Sequence, residues 1–424
     1  MEATINLTRL QENLRALSVI GRDESDGGLY RMAFTEADME GKKWLLEKMD
    51  EAGMETRVDG AGNVIGLWPG ADSTLPVMMV GSHIDTVPCA GTLDGALGVL
   101  SGLEAIHALR DDGFSPERGI ELIAFADEEG RFGGMFGSQA FAGMVTPETL
   151  DTAADLDGVK LADAMKACGM DPWQALDARR DPATVAGYLE LHIEQGPVLD
   201  TAGESLGVVE AITGLFKWVV TMRGEANHAG TTPMDLRKDA FMGLADFAHE
   251  VPRIIEEVGG EHSRATIGKI NLHPGSPNTV PGAATFSLDV RDTGEAVMDE
   301  LALAFRRALS AIARRRGLMF EFHEESRIRP VRCDARRTGL LADGAEALGL
   351  SHRRMPSGAA HDAQIVATVA PVAMVFVASR AGRSHSPAEW SSWDDIHAGA
   401  RILRHALENL CGSDTRRMLE NRTD

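Results

Sequence analysis

The chain has 424 residues, 44% of them hydrophobic, and a formal net charge of −22 at pH 7. That length exceeds what a single hydrophobic core normally fills, so two domains, or one domain carrying an insertion, are expected. The acidic excess argues against nucleic acid or an anionic membrane as partner, and no run of about 18 apolar residues offers a membrane span.

At the amino terminus Leu7, Leu10, Leu14 and Leu17 mark one face of an amphipathic helix; with no unbroken apolar core after a basic start, it is not a signal peptide. A second helix is predicted over residues 36–53, ended by Gly53. Two short strands, Thr56–Val58 and Asn63–Trp68, then flank the turn Asp59-Gly60-Ala61-Gly62. Val77–Val80 is continuously apolar, as in a strand buried on both faces. It runs into Gly81-Ser82-His83-Ile84-Asp85. Residues two apart on a strand share a side, so His83 and Asp85 leave together, an imidazole beside a carboxylate, as around an oriented metal ligand. Asp94-Gly95 follows after a loop, and Leu97, Leu100, Leu103 and Ile106 begin a helix.

The next strand, Ile120–Phe125, ends in Asp127-Glu128-Glu129-Gly130, again acidic at a carboxyl end, where α/β sheets place ligands. In Tyr188–Gly196 strict alternation puts Glu190, His192 and Glu194 on one side. From about Thr213 to Arg327 the character changes. Strands Trp218–Met222, Ala265–Ile270, Thr285–Val290 and Leu318–Glu324 alternate with helices Ala240–Ile255 and Ala296–Arg315, an α+β unit of domain size. The α/β pattern resumes with helix Leu340–Ala347, strand Val372–Val377 and helix Ile396–Leu410, and His385 lies just past that strand. The expectation is a discontinuous α/β domain with a central, mostly parallel sheet (residues 1–212 and 329–424), interrupted by an α+β domain (213–328). The charged tail Ser413–Asp424 is expected to fray.

His83, Asp94, Glu129, His192 and His385 thus all fall at or beyond strand ends. Any one alone reads as structural. Together they allow imidazoles to separate onto different metals while a carboxylate bridges, and such N/O donors suit zinc, manganese, cobalt or nickel. Cys89, Cys168, Cys333 and Cys411 lie far apart with no Cys-x-x-Cys pair, which favours a reduced, cytoplasmic setting over a disulfide frame or thiolate zinc site. Neither a phosphate loop nor a G-x-S-x-G serine elbow is present.

The order His-x-Asp, Asp-Gly, Glu-Glu-Gly, His-Ile-Glu-Gln-Gly-Pro and a late Ser-His-Ser resembles the di-metal amidohydrolases of the zinc-exopeptidase type. Within them LHIEQGPVLD, GEANHAGTTPMDLRKDA, PNTVPG and MPSGAAHDA resemble the N-carbamoyl-L-amino-acid amidohydrolases, β-ureidopropionases and allantoate amidohydrolases. The resemblance spans Arg31 to Pro387. It implies two divalent metals, one on His83, Asp94 and His192, the other on Asp94, Glu129 and His385, with Asp94 bridging. It implies that Asp85 steadies His83 and that Glu128 is general base and then proton donor for an attacking, metal-bridging hydroxide. The inserted domain becomes lid and homodimer interface, with His228 donating to the oxyanion in the partner subunit's site. Asn278 and Arg291 would hold a substrate carboxylate, and Gln195 would face the substrate. His361 and Asp362 lie in a matching motif without an assigned role.

The expected reaction is metal-dependent hydrolysis of a linear, non-peptide C–N bond on an amino-acid-like carboxylate, foremost an N-carbamoyl-L-amino acid. Allantoate or ureidoglycolate hydrolysis, N-acyl amino acid or dipeptide hydrolysis, and a non-catalytic ligand-binding role are the alternatives. Two departures bear on substrate. The loop after Glu129 is shorter than in the resembling sequences, with Arg131 following Gly130 at once, and Arg383 stands where an apolar residue is usual before Ser-His-Ser.

Overall fold

The computed structural model describes residues 5–413, so the charged tail past Ser413 lies outside them. Among the described residues no helix is long and apolar enough to cross a membrane. The chain divides into two compact units. The first comprises the chain up to Glu210, Cys333–Met355 and everything from His361 on; the second comprises Ala211–Arg332 and Pro356–Ala360.

The first unit is built on a mixed sheet in which four strands run parallel, in the order Ile120–Phe125, Val77–His83, Val185–Ile193, Val372–Val377. Antiparallel neighbours extend it on both sides: Val64–Trp68 and then Glu55–Val58 beyond Ile120–Phe125, and Leu206–Ile212 beyond Val372–Val377. The parallel strands are almost wholly buried, which explains their unbroken apolar runs. Helix Ala96–Asp111 is buried along most of its length. Leu97, Leu100, Leu103 and Ile106 join one core with Val80, Leu122, Leu191 and Val375. Because the four strands are parallel, their carboxyl ends, His83, Phe125, Ile193 and Val377, lie along one edge of the sheet. This edge carries the chemistry.

The second unit has a five-stranded antiparallel sheet, with Gly214–Arg223 and Ala283–Asp292 at its centre and Met319–Ile328 beside them. Burial alternates residue by residue along both central strands. The buried face, including Phe216, Trp218, Val220, Phe286 and Leu288, packs against Phe247 of helix Ala240–Val258 and Phe305 of helix Glu295–Arg316. The other face carries Lys217, Ser287, Asp289 and Arg291. The strand expected over Ala265–Ile270 is split into Arg264–Thr266 and Ile270–His273. Around Gly268 the Ser287 hydroxyl accepts the Lys269 N–H, so a side chain replaces a ladder bond where the strand breaks. The chain passes into this unit at Ala211–Ile212 and returns at Val331–Arg332, and these segments pair antiparallel.

Candidate metal centre

Of the five candidate ligands, His83 and His192 stand at the ends of parallel strands, and Asp94, Glu129 and His385 lie on the segments that follow three of those strands. His83 is the last residue of its strand, and its Nδ1 donates to the Asp85 carbonyl at 3.1 Å. His192 Nδ1 likewise donates to the Ile193 carbonyl at 2.9 Å. A carbonyl only accepts, so in each neutral ring the proton sits on Nδ1 and Nε2 carries the lone pair; that of His83 has no hydrogen-bond partner among the described residues, and that of His192 accepts the Gly95 N–H in a long bond of 3.3 Å. Both Nε2 atoms address the same oxygen: Asp94 Oδ1 lies 3.6 Å from His83 Nε2 and 3.1 Å from His192 Nε2. The other oxygen, Asp94 Oδ2, is 3.4 Å from His385 Nε2, which is also 3.3 Å from Glu129 Oε2. One carboxylate therefore serves two donor groups, His83–Asp94–His192 and Asp94–Glu129–His385, each with ligand atoms within 4.8 Å of one another.

Local backbone makes this convergence possible. Gly95 follows Asp94 at φ +62°, and a Cβ there would stand 2.4 Å from the His83 ring, so only glycine fits between the two ligands. Gln195 (φ 59°) and His385 (φ 51°) hold left-handed conformations that side-chain-bearing residues seldom adopt, as at sites where the surroundings dictate the backbone.

The donor set fits divalent cations. His83 Nε2 and Glu129 Oε1 are buried without a hydrogen-bond partner among the described residues. Carboxylates dominate the buried surroundings: Asp85, Asp94, Asp127, Glu190, Asp362 and Glu389 are all buried. Such a charge surplus is tolerated only with protons or cations. Burial, opposed by His83 and reinforced by Asp362 and Glu129, pushes the Glu128 carboxyl well above its usual range. Burial and the Asp94 charge push Glu129 up to about 7. The hydrogen bond to Asp94, against burial and with Glu129, lifts His385 to about 9. Burial would raise Asp94, but the imidazoles of His192, His385 and His83 hold it well below the carboxylate range. A cation would displace the protons these groups otherwise share.

Asp85 acts differently from the sequence expectation. His83 is held by the Asp85 carbonyl, while the Asp85 carboxylate sits 3.9 Å from that ring nitrogen and instead accepts the backbone N–H of Glu128 (3.3 Å) and Glu129 (3.2 Å). It fixes the turn on which the two adjacent glutamates diverge. Glu128 Oε2 then lies 3.6 Å from His83 Nε2. Gln195 Nε2 donates to Asp94 Oδ2 at 2.7 Å. Glu194 leaves the expected alternation, because the strand ends at Ile193 and its carboxylate caps Val198 and Leu199 instead.

Glu389 is a site residue that the sequence did not reveal. Glu389 Oε1 accepts the N–H groups of Leu93 (2.7 Å) and Asp94 (3.0 Å), while its Oε2 takes the Ser384 hydroxyl, which lies 2.7 Å from Asp94 Oδ2. Glu190 accepts from Ser82 and from the Ala363 N–H. His361 sets its ring 4.6 Å from that of His192, and burial and Glu190 push Asp362 up to about 8. Arg131 is tied to Asp155 and the Ala33 carbonyl, while Arg383 is exposed beside Ser384.

The remaining expected residues belong to the second unit. His228 sits in a two-residue ladder, Asn227–His228 against Thr279–Val280. Its Nδ1 accepts the N–H of Gly230 (3.1 Å) and Thr231 (3.2 Å), which leaves the proton of a neutral ring on Nε2, facing outward on an exposed side chain. The Asn278 carbonyl holds Ala229 of the same turn. Arg291 is paired with Asp289 and donates to the Gly358 carbonyl.

Residues 79–409 match the model of peptidase family M20/M25/M40. An N-carbamoyl-L-amino acid amidohydrolase from Geobacillus stearothermophilus is 39% identical over 95% of this chain and 98% of that one. An allantoate amidohydrolase from Escherichia coli is 36% identical over 95% and 97%. A solved hydantoinase/carbamoylase-family amidase from Burkholderia multivorans superposes with a TM-score of 0.88 at 35% identity, covering 96% of this chain and 98% of that one.

Proposed function

Because the chain belongs to peptidase family M20/M25/M40, we propose that it is a metal-dependent amidohydrolase cleaving the carbamoyl C–N bond of N-carbamoyl-L-amino acids. The observation that carries this reading is the division of the Asp94 carboxylate, one oxygen toward His83 and His192 and the other toward His385 and Glu129. Two zinc, manganese, cobalt or nickel ions held there would polarise the scissile carbonyl and acidify a water.

The chain's own residues do the rest. Glu128, unpaired with a metal in this scheme and with a raised proton affinity, takes the proton from water and delivers it to the leaving nitrogen. Asp85 keeps Glu128 and Glu129 pointing to different tasks. In a cytoplasmic homodimer His228, its Nδ1 already occupied, offers Nε2–H to the oxyanion in the partner subunit's site. Asn278 and the remaining donors of the Arg291 guanidinium hold the substrate carboxylate, and Gln195 borders the substrate beside Asp94.

Ammonia release from a set of N-carbamoyl, N-acetyl and N-formyl amino acids, allantoate and ureidoglycolate tests the reading. N-carbamoyl-L-amino acids are expected to be cleaved, chelation to abolish cleavage and a divalent ion to restore it. Full turnover by metal-free protein would overturn the mechanism, and turnover of allantoate or ureidoglycolate alone would move the activity to that substrate class.

A further inference from the structure

The open face of the second unit's sheet carries a cavity of about 440 Å³ lined by Lys217, Thr266, Gly268, Ser287, Asp289 and Arg291. Its position follows from strand register. Asp289 lies directly opposite Lys217 on one side and Thr266 on the other, so the three form a row across three strands. Arg291 is two residues on from Asp289 and points to the same face. Lys217 and Arg291 are therefore diagonal neighbours, their backbone positions separated by about 7–8 Å.

In a chain of net charge −22, a cavity with two cations and one carboxylate is an inversion of the prevailing sign. The one carboxylate is already committed. Asp289 Oδ1 receives Arg291 Nε at 3.0 Å and its other oxygen faces the same guanidinium at 3.5 Å. Lys217 has no ion pair or side-chain hydrogen bond among the described residues, although it stands on a half-buried strand face across from Asp289. Its charge is thus uncompensated at a place where Thr266 and Ser287 add hydroxyls. A cation, two hydroxyls and a neighbouring arginine define a pocket for a second anionic group.

We propose that Lys217 is a specificity-determining residue that takes the side-chain carboxylate of an acidic substrate, an N-carbamoyl-L-aspartate or N-carbamoyl-L-glutamate. The inference rests on the reading above in one respect, that Arg291 receives the α-carboxylate. From diagonal positions on one sheet face, two long flexible cationic side chains can each receive one carboxylate of a short dicarboxylate. One charge-assisted hydrogen bond corresponds to a preference of about 10- to 100-fold for the acid over its uncharged amide.

The test compares kcat/KM for N-carbamoyl-L-aspartate and -glutamate with that for N-carbamoyl-L-asparagine and -glutamine, in the wild type and in Lys217→Gln, Lys217→Arg and Lys217→Glu. Calorimetric Kd values for the same four compounds on the Glu128→Gln background read binding without turnover. The acid-to-amide ratio is expected to fall about 10- to 100-fold in Lys217→Gln. It should be largely kept in Lys217→Arg and drop furthest in Lys217→Glu, in both rate and Kd. A ratio that does not move, or equal loss for acids and amides, overturns the proposal. Failure of the underlying reading looks different: no N-carbamoyl acid of any side chain would release ammonia, and both conclusions would fall together.

Discussion

Glu389 offers the sharpest check on how the metal centre is held. Replacing it by alanine removes the acceptor of two buried backbone N–H groups, those of Leu93 and Asp94, and frees the Ser384 hydroxyl. Each buried donor left unpaired costs about 1–3 kcal/mol, so Glu389→Ala should lose roughly 2–6 kcal/mol of folding stability. Glu389→Gln keeps a neutral acceptor of the same shape. It forfeits only the difference between charged and neutral hydrogen bonds, about 1 kcal/mol each or roughly 2 kcal/mol together. The same loosening lets the Asp94 backbone drift, and loss of such an outer partner lowers metal affinity by about 10- to 100-fold. The assay pairs urea unfolding of chelator-treated protein with calorimetric titration of manganese or zinc. The expected order is wild type, then Gln, then Ala, in both measurements. If Glu389→Ala unfolds at the wild-type midpoint and binds metal as tightly, the clasp on Leu93 and Asp94 does not govern the centre.

Glu128→Gln should keep metal and substrate affinity while losing about 10²–10⁴-fold in kcat, measured by single-turnover ammonia release; a loss confined to KM would contradict a proton-transfer role. Mixing inactive His228→Ala with inactive Glu128→Gln protein should regain activity in mixed dimers separated by differential tags, and none in verified mixed dimers would remove the action of His228 across subunits. In the second unit, hydrogen bonds from Arg316 and Arg315 hold Asp246 down at about 2, from an ordinary 3.8. A depressed carboxylate stabilises the fold above the unfolded value and loses that contribution as pH falls through the folded one. Asp246→Asn should therefore be less stable than wild type at neutral pH, by about 1 kcal/mol or less for so exposed a group, with the gap closing between about pH 4 and 2 in thermal melts.

What could be read from the sequence was set by periodicity. The buried parallel strands announce themselves as apolar runs, and His83, Glu129, His192 and His385 stand out because each ends or follows such a run. The same logic failed where a side chain looked along the chain instead of across it. Glu194 obeyed the alternation on paper but turned to cap Val198 and Leu199, since the strand stops one residue earlier. The carboxylate of Asp85 found the backbone of Glu128 and Glu129 in preference to the neighbouring imidazole. Glu389 stood no chance of being recognised: its partners Leu93 and Asp94 are nearly 300 residues away, and nothing in Ser386-Pro387-Ala388-Glu389 reports that proximity. The break at Gly268 was missed because Ala265–Ile270 alternates well enough to pass for one strand, and only the Ser287 hydroxyl reveals why it is two.

The pairing of Ala211–Ile212 with Val331–Arg332 has a consequence for how this chain is assembled. The main segment of the second unit, Ala211–Arg332, begins and ends on adjacent backbones, so along the chain it behaves like a hairpin connection. The loop-closure entropy that the intervening residues would otherwise impose on joining Leu206–Ile212 to the remainder of the α/β fold is met within the insertion itself. None of the four parallel strands is drawn from this segment, so its sequence can vary without altering them. Substrate preference can then diverge through Lys217 and its neighbours while the hydrolytic apparatus stays as it is.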